Sequence, residues 1–144
     1  MNNDLIFQIV NGFAFLGWIP LFAAPFWKYT LFVSRVMVVL PLALFYTVLI
    51  FSGVSDLDPN SFSSLEGVKA LFSSDTAIVA GWIHYLAFDL FVGTYIVQRG
   101  VQLNLPRWLF TLCLPFTFMF GPLGLFLFSI ILFARKSKPW EMKH

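Results

Sequence analysis

Sixteen consecutive residues from Val36 to Phe51, "VMVVLPLALFYTVLIF", carry no charged side chain. A helix rises about 1.5 Å per residue, so about 20 residues are needed to cross roughly 30 Å of hydrocarbon with every backbone N–H and C=O bonded internally. Four runs reach about that length: Leu5 to Ala24, Val33 to Gly53, Thr76 to Gln98 and Trp108 to Phe133. A membrane barrel would instead need segments of about ten residues in which apolar and polar side chains alternate. The run quoted above and "LGLFLFSIILF" are apolar on every side. The pattern predicts an all-α fold, a four-helix transmembrane bundle forming one integral membrane domain over residues 1–144.

Composition agrees with lipid as the solvent. Hydrophobic residues make up 59% of the chain and charged ones 11%, far from the balance of a water-soluble domain. Nineteen phenylalanines against four tyrosines make most of the aromatic surface fully apolar, suited to lipid or an apolar ligand. No nucleic-acid partner is expected of such a chain. The start "MNNDLIFQ" lacks the positive region of a signal peptide and carries Asp4, so the first helix is expected to remain in the mature protein. Cys113, the single cysteine, lies in an apolar run and reads as a packing residue.

Four crossings would put both termini on one side, together with the connection between the second and third helices. That side would hold Lys69, Arg135, Lys136, Lys138 and Lys143, and the other Lys28, Arg35, Arg99 and Arg107. The count barely favours either orientation; the compact "RKSKPWEMK" tail tips the expectation towards cytoplasmic termini. The connection "SGVSDLDPNSFSSLEGVKALFSSD" is a solvated loop by composition. Within it Leu65, Val68, Leu71 and Phe72 recur at helical spacing, which predicts a short amphipathic helix at the bilayer surface. Ser74 reads as the N-cap of the third span, with Asp75 in its first turn. Pro115 and the pair Gly121-Pro122 predict a kink or break near "FMFGPLG" in the fourth.

The third span contains "GWIHYLAFDLFVG", with His84 and Asp89 roughly 12 Å and 20 Å along a helix starting near Thr76. A carboxyl group at such depth costs about 2.5 to 3.5 kcal/mol on insertion scales and usually faces the bundle interior at a site. Five residues apart, the two side chains point about 140° away from each other, so they should not bond directly. Asp89 shares a face with Tyr85 and Trp82; His84 shares one with Phe88, Phe91 and Gly81. The partners open to Asp89 are Tyr85, a group on another helix such as Arg35, or a proton; Arg35 has the alternative of snorkelling to headgroups. A neutral acid and a neutral imidazole in a dry cavity can supply acid and base chemistry. The alternative is that both residues tie helices together by hydrogen bonds. One internal histidine, one cysteine and no carboxylate cluster do not complete a metal's ligand set, so no metal or cofactor is expected.

The segment "VKALFSSDTAIVAGWIHYLAFDLFVG" resembles the family of plant abscisic-acid-deficient membrane proteins and their bacterial relatives, associated with neoxanthin synthesis. The resemblance rests on "LFSS" at Leu71 to Ser74, Asp75, "WIH" at Trp82 to His84 and "DLF" at Asp89 to Phe91. It implies conversion of violaxanthin to neoxanthin, an isomerisation that opens a 5,6-epoxide to an allene with no net redox change. His84 and Asp89 would be the catalytic pair, with Trp82, Tyr85, Phe88 and Arg35 against the substrate. Thr94, after "FVG", stands where relatives carry Arg, which together with the lack of a plastid extension suggests a bacterial-type relative in a cytoplasmic or thylakoid-type membrane. Phe88, Phe91, Phe116 and Phe118 would line the cavity. The competing reading is a non-catalytic protein that binds a carotenoid, quinone or lipid and assists another enzyme; a small transporter is a third. A chain of this size is expected to act as a homodimer or with a membrane enzyme, with "FVGTY" and "FGPLG" offering small residues for close helix approach.

Overall fold

The computed structural model describes residues 2–53 and 59–134. The tail cluster of Arg135, Lys136, Lys138 and Lys143, with His144, lies outside the described residues, as do Asp56 and Asp58. Among the described residues every regular element is helical, and three helices are long and apolar enough to cross a membrane.

The first, α1 (Asn3–Ala23), begins where the Asn2 side chain accepts from the Leu5 N–H at 3.2 Å, with Asp4 in the first turn. The second, α2 (Thr30–Ser52), winds as a π-helix over Val33–Val39, with the Leu40 N–H bonded to the Arg35 carbonyl five residues back. Pro41 follows at once: its ring crowds the preceding turn and it has no N–H to give, and the wider winding accommodates both.

A 3-10 turn at Pro59–Phe62 and a short helix α3 (Leu65–Leu71) occupy the connection where an amphipathic helix was expected. Ser64 caps α3 by accepting from Gly67 N–H at 3.0 Å, and Glu66 pairs with Lys69 at 2.9 Å. Phe72, just past its end, lies over Gly81. The third long helix, α4 (Asp75–Gln102), starts at Ser74, whose hydroxyl accepts from Ala77 N–H at 3.2 Å. It outruns the apolar stretch by four residues and stops at Asn104, which takes a positive φ of 50°, ahead of Pro106.

The expected fourth span is two helices, α5 (Arg107–Phe120) and α6 (Pro122–Ala134), folded back on each other. A continuous helix would hold Cys113 and Gly124 about 16 Å apart. Instead any side chain at Gly124 would strike both Thr117 and the Cys113 carbonyl. Positions along α4 trace the same reversal, since Phe110 lies over Gly100, Gly121 beside Asp89, and Phe128 back against Tyr95 at 6.3 Å. Gly121 makes the turn with a φ of 38°, a conformation that costs an L side chain about 1–2 kcal/mol. The break expected near "FMFGPLG" is thus a full reversal.

Three helices run through and one hairpin returns. α1 and α4 are parallel, with Asn3 on Thr76 and Trp18 over Gly93, while α2 runs against them, with Ser34 on the Gly17 carbonyl and Tyr46 on His84. The hairpin enters from the far end, where the Arg107 guanidinium donates to the Phe22 and Ala23 carbonyls at 2.8 and 3.0 Å and caps α1. Asn3 and Ala134 therefore lie at opposite ends of the bundle, whereas four full crossings would set them at the same end.

Trp18, Leu21, Ile83, Leu90, Ile96, Phe110, Leu114 and Phe128 fill the core, and Cys113 is buried with its thiol on the Leu109 carbonyl. Leu44, Phe51, Phe126 and Phe133 stay outside, an apolar exterior that fits lipid rather than water. Gly93, Gly121 and Gly124, the small residues expected to serve close helix approach between chains, are occupied within this chain by Trp18, Asp89 and Thr117.

Candidate functional site

One face of α4 carries Trp82, Tyr85 and Asp89, as their spacing requires. Trp82 donates from Nε1 to Asn11 Oδ1 of α1 at 3.0 Å and stacks on Tyr85 with ring centroids 5.1 Å apart. Tyr85 donates its hydroxyl to the Met119 carbonyl at 2.7 Å. That carbonyl is in the last turn of α5, so reversal at Gly121 deprives it of the N–H four residues on. Tyr85 supplies the missing donor from another helix.

Asp89 comes next along the face and lies against Gly121, at the start of α6. It is 7% exposed, and Oδ2 is buried without a hydrogen-bond partner among the described residues. Such an oxygen is costly to leave unmatched in a low-dielectric interior. The start of α6 places the positive end of a helix dipole beside it, and Pro122 has no N–H to offer. Asp89 is the fifteenth residue of the 28 in α4, and so sits at mid-length of a helix fit to span the bilayer. The site is thus a carboxyl group beside the Tyr85 side chain, with Oδ2 unpartnered among the described residues, set at a reversal of the backbone deep in the bundle.

His84 is elsewhere. It is exposed, stacked on Phe88 at 4.5 Å and tilted against Tyr46 of α2 at 5.3 Å. Spacing correctly separated it from Asp89, and the structure does not bring the two into one acid–base pair. Phe88 shares the His84 surroundings and is 59% exposed. Arg35 is also apart: Nε donates to Thr94 Oγ1 at 2.8 Å and Nη2 to Gln98 Oε1 at 2.7 Å, with the guanidinium over the Phe91 ring at 5.5 Å. Among the described residues Arg35 makes no ion pair with Asp89.

The expected phenylalanine cavity does not assemble. Phe88 packs on His84 and Phe91 lies beneath Arg35, whereas Phe118 meets Trp18 and Phe15 of α1 at 5.4 and 6.4 Å. Sequence reasoning missed Asn11, the Met119 carbonyl and Gly121 as neighbours of the Asp89 face, and Thr94 and Gln98 as partners of Arg35. Only the last two left a trace, a spacing of four that sets them on one face of α4.

The ABA DEFICIENT 4-like family model matches residues 5–128. The chain belongs to the ABA DEFICIENT 4-like family. The matched region holds every residue of the Asp89 face, His84, Arg35 and the hairpin turn, and ends within α6. With three long apolar helices, this ABA DEFICIENT 4-like chain is a membrane protein. No curated protein and no solved structure matches it.

Proposed function

We propose that this protein is an intramembrane isomerase of an epoxy-xanthophyll, of the violaxanthin-to-neoxanthin type, with Asp89 as the group that moves the proton. The observation that carries the reading is the buried Asp89 carboxyl at the Gly121 turn, with an oxygen unpartnered among the described residues. Family membership supports the substrate class.

The reaction needs a proton at the epoxide oxygen as the C6–O bond breaks, and loss of a proton from C7 as the allene forms. With His84 on another face, one carboxyl group serves both ends. The neutral acid donates from one oxygen, and the carboxylate left behind accepts the C7 proton at the other. Atoms and charge balance, and the enzyme returns to its starting state with no redox cofactor. Tyr85 and Trp82 act as a stacked wall that positions the ring end group. The Tyr85 hydroxyl is committed to Met119, so Tyr85 is a positioning residue rather than the acid.

A second reading, carotenoid or other apolar ligand binding without chemistry, is favoured by one observation. His84, Phe88, Phe91 and Tyr95 form an outward aromatic row between α2 and the hairpin. The row extends about 16 Å along α4 and would suit the flank of a polyene.

Expression in a violaxanthin-accumulating host, with pigment analysis of cells and of purified protein, separates the two. A new allenic pigment supports isomerisation. Violaxanthin that co-purifies unchanged supports binding. No effect on any pigment removes both.

A further inference from the structure

Charge is divided unequally between the two ends of the bundle. At the end holding the starts of α1 and α4 lie Asp4, Glu66 and Asp75, with Lys69. At the other end lie Lys28, Arg35, Arg99 and Arg107, and no Asp or Glu among the described residues. Arg107 is committed to the α1 carbonyls.

Arg35 is held differently. Both of its acceptors among the described residues, Thr94 Oγ1 and Gln98 Oε1, are neutral, so they orient its charge without compensating it. Thr94 is fully buried and donates its own hydroxyl to the Phe91 carbonyl at 2.6 Å, which fixes its lone pairs towards Arg35. Nη1 has no hydrogen bond to any described residue, and the guanidinium rests on Phe91, a ring 49% exposed on the outside of the bundle. Thr94 and Gln98 precede the end of α4 by eight and four residues, about 12 and 6 Å along the helix. Centred on about 30 Å of hydrocarbon, a helix about 42 Å long would set Gln98 at the boundary between the acyl chains and the headgroups.

A half-buried guanidinium over an exposed apolar ring, with Nη1 unbonded to any described residue, matches an anion attached to a hydrocarbon chain. Arginine forks bind phosphate oxygens in pairs, and the neighbouring cations raise the attraction of an anionic headgroup over a zwitterionic one. We propose that Arg35, clamped by Thr94 and Gln98, binds the phosphate of an anionic phospholipid, whose acyl chain runs along Phe91 and Phe88. A free phosphate would find the same fork but no use for the aromatic row.

The test is native mass spectrometry of the full chain in detergent, with phosphatidylglycerol and phosphatidylcholine added in equal amounts. Wild type is expected to retain phosphatidylglycerol at least fivefold over phosphatidylcholine. Arg35→Gln is expected to lose the preference, whereas Lys28→Gln keeps it within twofold. Equal retention of the two lipids by wild type, an unchanged preference in Arg35→Gln, or equal losses in both variants would overturn the proposal. So would displacement of phosphatidylglycerol by millimolar inorganic phosphate, which would make the site one for the free ion. Should Arg35→Gln not fold, Arg35→Lys takes its place, since its single ammonium cannot hold Thr94, Gln98 and a phosphate together. Its preference is expected to fall at least threefold, and an unchanged one would overturn the proposal.

Discussion

The Asp89 carboxyl group and the Gly121 turn occupy one point in the bundle, and each constrains the other. Gly121 takes a positive φ, and a methyl group on it would collide with the carboxyl oxygens. Gly121→Ala is therefore expected to cost about 1–2 kcal/mol from backbone conformation alone, with displacement of Asp89 added to it. Thermal unfolding in detergent checks this, and a variant as stable as wild type would mean that the turn does not have this shape.

The reversal at Gly121 also predicts a topology. If α5 and α6 form a returning hairpin, the chain continues from Ala134 at the end that holds Lys28, Arg35, Arg99 and Arg107. Among the described residues four of the five Lys and Arg lie at that end, and only Lys69 at the other. Basic residues near span ends favour the cytoplasm, which predicts a cytoplasmic C-terminus and an N-terminus on the opposite face. A cysteine introduced at Ser63, in a Cys113→Ala background, should react with a membrane-impermeant maleimide in intact cells. A C-terminal epitope tag should become accessible only after permeabilisation. Exposure of both on one side would restore a fourth crossing.

Arg107 anchors the start of that hairpin on the last carbonyls of α1. Its exposure limits the value of the contact, and Arg107→Ala is expected to lower stability by about 1 kcal/mol, with Lys recovering part of it. Unfolding midpoints of the three proteins measure the difference; identical midpoints would show that the cap contributes nothing.

Tyr85→Phe removes the hydroxyl that donates to the Met119 carbonyl and leaves the ring stack intact. Hydrogen bonds between helices in membranes are typically worth about 0.6 kcal/mol and at most about 1.7, so a loss in that range is expected, with conversion slowed but not abolished. Complete loss of conversion in a well-folded Tyr85→Phe would move Tyr85 from positioning to the reacting atoms.

What the sequence makes legible follows from what is local. Apolar length gives α1, α2 and α4, the Ser74 cap is read from its neighbours, and helical spacing places Trp82, Tyr85 and Asp89 on one face and His84 on another. Gly121 and Pro122 announce an interruption, but the same two residues serve a kink or a reversal. Contacts of Gly124 with Thr117 and Cys113 decide between them, and those depend on packing that no window of sequence contains. The π-helical stretch around Arg35 escaped for a related reason. A proline inside an apolar run admits several windings, and Arg35 found Thr94 and Gln98 fifty-nine and sixty-three residues away.

The proposed isomerisation assigns proton transfer to Asp89 and not to a His84–Asp89 pair. Comparing allenic product from Asp89→Asn and His84→Ala in the violaxanthin-accumulating host, at matched levels of folded protein, tests it most directly. Asparagine keeps the size and polarity of the side chain but cannot exchange the proton, so product should fall at least a hundredfold, in line with the typical contribution of general acid–base catalysis of about 10²–10⁴. His84→Ala should retain at least a third of the wild-type yield. Full activity in Asp89→Asn, or equal and severe losses in both variants, would rule out Asp89 as the group that moves the proton on its own.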